Sequence, residues 1–124
     1  MNWPAIAAIL LALAVALGAF GAHGLKNHLD AYLMGVWEKA VFYHFVHALG
    51  LLMTGVAARA GVLSAGAANC VGALLVAGIV LFSGSLYGLA LTRMYVVGAL
   101  TPVGGVCFIA AWLWLAAGLL RSKS

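Results

Sequence analysis

Four stretches of the chain are apolar for long enough to cross a bilayer, and polar residues interrupt them only in breaks. The stretches cover about residues 4–22, 40–58, 67–91 and 96–120. Each meets the ~17–25 residues that a helix needs to span a hydrocarbon layer of ~30 Å. Apolar and polar positions do not alternate at period two, which excludes a membrane barrel. The pattern predicts an all-α membrane protein: one domain over residues 1–124, with four transmembrane helices in an antiparallel bundle. The short breaks "RAGVLSAG" and "TRMY" make spans two and three, and three and four, antiparallel neighbours. The first break, "HGLKNHLDAYLMGVWEK" from His23 to Lys39, is too long for a tight turn and too polar to span. Leu25, Leu29, Tyr32, Leu33 and Val36 recur in it at helical spacing. That stripe predicts an interfacial amphipathic helix between spans one and two, with Trp37 at the headgroup level. The first stretch reads as a retained span rather than a signal peptide, because "MNWP" carries no Lys or Arg.

Composition sharpens this picture. The apolar set makes up 67% of the 124 residues and charged residues 6%, against about 25% charged in a soluble domain. The partner these side chains demand is the lipid bilayer. Lys26, Lys39, Arg59, Arg93, Arg121 and Lys123 form no patch, which argues against nucleic acid. Four spans put both termini on one side. The Lys/Arg count is equal on the two sides, and the basic tail "RSKS" inclines the termini towards the cytoplasm.

Glycine is the next signal, at sixteen residues where average usage of about 7% gives roughly nine. Gly18 stands four residues from both Ala14 and Ala22, and Gly84 four from Gly88. Such spacing lets helix backbones approach closely in lipid. Gly18, Gly21, Gly84, Gly88, Gly104 and Gly105 are therefore expected at helix contacts, within the chain, in a homo-oligomer or in a larger membrane complex. "TPVGG" marks a helix start or kink. In the third span Asn69, Gly72, Val76, Ser83 and Tyr87 share a face that should point into the bundle.

The second span carries two imidazoles. On a helical wheel Ala40, Tyr43, His44, His47, Leu51 and Thr54 fall together, with Glu38 nearly opposite His47. At ~1.5 Å per residue His44 lies about 9 Å and His47 about 13–14 Å beyond Glu38. Alternating direction gathers His23, Tyr43, His44, His47, Ser83, Ser85, Tyr87 and Thr101 in one half of the bundle. Two functions are open to such a cluster. It can join helices by hydrogen bonds, as expected of a packing accessory or self-associating subunit. Or His23, His47, Tyr43, Ser83 and Tyr87 can form a membrane-embedded binding or conduction site for a small ligand, proton or metal ion. In both, His47 points inward and bonds to another span, with Ser83 or Thr101 nearest by depth. His23, His44 and His47 are the metal candidates, but zinc needs three or four ligands with supporting carboxylates, and Asp30 and Glu38 are not placed to serve. A haem between His23 and a second-span histidine rests on histidine number alone, so no cofactor is expected. Cys70 and Cys107 sit roughly 18 Å apart in depth, beyond disulfide reach. No nucleophile–base set, paired carboxylate or phosphate-binding loop is present, so no enzyme is expected.

The segments "GAFGAHGL", "HFVHALGLL", "LFSGSLYGLAL" and "TPVGGVCFIAAW", in this order and spacing, resemble the family of small inner-membrane proteins that includes bacterial YgdD and YwdK, with small eukaryotic transmembrane relatives. The resemblance covers almost the whole chain. It implies a four-span integral protein of the bacterial cytoplasmic membrane, in a family of unknown function with no catalytic residue to carry over. Its signature positions correspond to Gly18, Gly21, His23, Tyr43, His47, Ser83, Gly84, Ser85, Tyr87, Thr101, Pro102, Gly104 and Gly105. His44 falls outside that pattern, which leaves His23 and His47 as the favoured histidines.

Overall fold

A computed structural model of the protein describes residues 1–121; Lys123, counted above for topology, lies outside them. The first helix is Trp3–His23, with the Asn2 side chain accepting from the Ala5 N–H and Pro4 in the opening turn. The second is Ala31–Arg59, capped where Asp30 accepts from the Leu33 N–H at 2.8 Å. The third, Ala65–Thr92, contains a π-helical turn at Ile79–Ser83. It ends at Arg93, whose φ of 57° is left-handed. The fourth runs Tyr95–Arg121, opening as 3-10 helix over Tyr95–Leu100 and continuing as α-helix from Thr101. All four are long and apolar enough to cross a membrane.

The separate interfacial helix expected between spans one and two does not exist. Residues 24–30 form a turn, and from Ala31 the second helix runs unbroken into the apolar span. No proline interrupts Ala31–Arg59, and the Asp30 cap starts the helix within the stripe, after Leu25 and Leu29. The stripe is apolar because it packs on protein, not on headgroups. Leu25, Val36, Trp37 and Ala40 are buried together with Leu86, Leu89 and Ala90 of the third helix. Trp37, expected at the interface, is 2% exposed.

The second and third helices form the central pair. Inside the bundle lie 44% and 33% of their apolar windows, against 17% and 22% for the first and fourth. The first packs mainly on the second, the fourth on the third. Arg59 Nη2 donates to Asn2 Oδ1 at 3.0 Å and Leu63 lies against Gly118, so both described ends and the second connection share one end of the bundle. At the other end Arg93 Nη2 donates to the His28 carbonyl at 3.0 Å.

Close packing follows a rule that four-residue spacing does not capture. Four of the tight glycines are notches for aromatic rings: Gly21 under Trp37, Gly50 under Trp112, Gly72 under Trp3 and Gly78 under Phe108, while Gly55 meets Pro4 and Gly118 meets Leu63. Gly104 meets the Phe82 backbone so closely that a Cβ there has no room. Gly18, Gly88 and Gly105 make only ordinary contacts, with Val41, Val97 and Phe82. Gly84, expected at a helix contact, is exposed, and the nearest atom to a Cβ there is the Ile79 carbonyl of its own helix at 4.0 Å. The cause is the π turn just before it, which closes i→i+5 hydrogen bonds and shifts the phase of every residue that follows.

Candidate functional site

The buried polar side chains are His44, His47, Thr54, Ser83 and Ser85. Most sit where the π turn meets the second helix. Ser83, fully buried, donates to the Ala40 carbonyl at 2.7 Å and ties the third helix to the second. Ser85 donates to the Phe82 carbonyl at 2.9 Å, and its Oγ lies 2.6 Å from Thr101 Oγ1, tying the third helix to the fourth. Thr54 bonds back to the Gly50 carbonyl of its own helix at 2.8 Å.

The two histidines take different roles from those expected. His47 Nδ1 donates to the Tyr43 carbonyl one turn earlier, at 2.7 Å. Because a carbonyl can only accept, that bond fixes the proton on Nδ1 of the neutral ring. His47 bonds to neither Ser83 nor Thr101, since its own helix supplies the acceptor. It reaches the fourth helix by stacking: its ring lies 3.5 Å from that of Phe108, 11° from parallel, with Trp112 at 5.6 Å. Tyr43, half-buried, lies beside this pair, 5.9 Å from His47 and 6.4 Å from Phe108, and touches Phe82 at 4.4 Å.

His44, the histidine not favoured from the sequence, makes the interhelical hydrogen bond. Its Nδ1 lies 2.8 Å from Tyr87 Oη on the third helix. Its Nε2 is the one buried side-chain polar atom without a hydrogen-bond partner among the described residues. In the Nε2–H tautomer Tyr87 donates its phenol proton to Nδ1, and in the Nδ1–H tautomer the ring donates to the phenol oxygen. Tyr87 also packs on Trp37 at 4.7 Å, and Trp37 Nε1 donates to the Leu17 carbonyl at 2.9 Å. A continuous line of contacts thus joins the third, second and first helices.

His23 stands apart, exposed at the end of the first helix. It does not join His44 and His47, and among the described residues no three His, Cys, Asp or Glu side chains come together as a metal site. Cys70 and Cys107 are free thiols. Trp37, Phe108, Trp112 and the Trp3–Asn69 pair (Nε1 to Oδ1, 2.9 Å) were not foreseen. The available signal was the number of large aromatics that need glycine notches in lipid.

Residues 17–105, most of the chain, match DUF423, a family of proteins of unknown function. The chain belongs to that family. It is 51% identical over 109 residues to a UPF0382 membrane protein of Staphylococcus saprophyticus, covering 88% of each chain. A UPF0382 membrane protein of Staphylococcus haemolyticus is 50% identical over 110 residues, 89% of this chain and 88% of its own. The UPF0382 membrane protein YwdK of Bacillus subtilis is 47% identical over 117 residues, 94% of each. No solved structure matches. This DUF423 protein is therefore a small integral membrane protein of a bacterial family. The matched segment includes His44, Ser83, Tyr87 and Thr101 and ends before Phe108 and Trp112.

Proposed function

We propose that the protein is a non-enzymatic, helix-packing accessory or self-associating subunit of the bacterial cytoplasmic membrane, with both termini cytoplasmic and no nucleic-acid partner. One observation carries this. Apart from His44 Nε2, every buried side-chain polar atom among the described residues has a partner within the chain. A conduction path or ligand site needs polar groups facing open space, whereas here His44, Ser83 and Ser85 hold helices to one another and His47 and Thr54 bond within their own helix. What is left to act through is the outer surface, where Ile9, Val80, Val106, Ile109 and Leu113 are exposed. The cytoplasmic orientation rests on the basic tail "RSKS", since the Lys/Arg count is equal for the two sides of the membrane.

Extraction from native membranes into lipid nanodiscs, followed by native mass spectrometry, tests this. Particles with more than one polypeptide in fixed ratio are expected. Single chains at every protein concentration contradict it, as does a stoichiometric metal or pigment retained through purification.

A further inference from the structure

At the end of the bundle that holds Asn2 and Arg121, a cleft of about 550 Å³ opens between the start of the third helix and the end of the fourth. Its walls are Gly66, Ala67, Cys70 and Trp114, with Arg121 at the mouth. Gly118 closes the floor against Leu63. Among the described residues no side-chain carboxylate lies at this end of the bundle. The only two acidic residues, Asp30 and Glu38, begin the second helix at the opposite end. Ser64, also on the cleft, uses its hydroxyl to cap the third helix at the Ala67 N–H.

We propose that this cleft binds one anionic phospholipid, its phosphate on the Arg121 guanidinium and an acyl chain along Ala67, Cys70 and Trp114. Depth fits that occupant. Seven residues of helix separate Arg121 from Trp114, about 10 Å, which carries the site from headgroup level into the hydrocarbon. A guanidinium is a planar fork suited to phosphate, and basic pockets between transmembrane helices select anionic headgroups. Gly66, Ala67 and Gly118 contribute little side chain to the cleft wall, which leaves room for an acyl chain.

Cys70, an exposed free thiol in the cleft wall, serves as the reporter. Full-length protein carrying Cys107→Ser is placed in phosphatidylcholine nanodiscs with increasing phosphatidylglycerol, and the rate of Cys70 alkylation by N-ethylmaleimide is measured. Phosphatidylglycerol is expected to slow labelling at least fivefold over phosphatidylcholine alone. Arg121→Gln should abolish the effect, Arg59→Gln should preserve it, and inorganic phosphate should not produce it. Equal labelling in both lipids, slowing that survives Arg121→Gln, slowing by phosphate alone, or oxidative Cys70–Cys70 crosslinking between copies at the labelling site would each overturn the proposal.

Discussion

His44 and Tyr87, 43 residues apart in sequence, join the two central helices through a 2.8 Å contact between Nδ1 and the phenol oxygen. The bond lies between the His47–Phe108 stack and the Trp37–Leu17 bond, so contacts of three kinds run across all four helices. Apolar side chains gain little by leaving lipid for another helix, and specific packing and interhelical hydrogen bonds must hold the bundle together instead.

His47 should act through its ring rather than its nitrogen. His47→Phe keeps a flat ring against Phe108 and is expected to cost less than ~1.5 kcal/mol, the usual range for a volume-conserving change. His47→Ala opens a cavity and should cost ~2–5 kcal/mol. Thermal unfolding in detergent, followed by circular dichroism, measures both. Similar losses for the two would mean that the bond to the Tyr43 carbonyl matters more than the stack.

Glycine substitutions should separate according to what a Cβ would meet. Gly104→Ala forces a methyl onto the Phe82 backbone and is expected to destabilise by ~1–3 kcal/mol. Gly84→Ala adds a methyl in open space and should be neutral, or stabilising by up to ~1 kcal/mol through helix propensity. The same unfolding assay decides, and an equal loss at the two positions would contradict the packing described.

Ser83 ties the π turn to the second helix. Ser83→Ala removes its bond to the Ala40 carbonyl and should cost ~0.5–1.5 kcal/mol. Ser83→Leu must also force a larger side chain into a fully buried position and should cost ~1–3 kcal/mol beyond that. If leucine is tolerated as well as alanine in the unfolding assay, the two helices are not in close contact there.

The four spans were legible because length and apolarity alone define them. The segment after His23 was not, since a stripe such as Leu25–Leu33–Val36 looks the same whether headgroups or a third helix cover it. Gly84 was misplaced because spacing presumes a regular helix, and nothing in "IVLFS" announces a π turn. The same phase shift explains the exchange of roles between the histidines. The wheel put His44 and His47 on one inward face, but which of them meets Tyr87 depends on how far the third helix has rotated after Ser83. His23 was grouped with them by depth alone. Depth does not fix direction, and the structure turns it outward.

A double-mutant cycle at His44 and Tyr87 tests most directly whether the intramembrane histidine serves to join helices. Tyr87→Phe leaves His44 with two buried, unpaired ring nitrogens, while His44→Phe together with Tyr87→Phe removes both partners and keeps two aromatic rings. The cycle is completed with the two single variants and the parent protein, all unfolded in the same detergent. A coupling of ~0.5–1.5 kcal/mol is expected, within the range of interhelical hydrogen bonds in membranes. Additive effects, with coupling indistinguishable from zero, would contradict it.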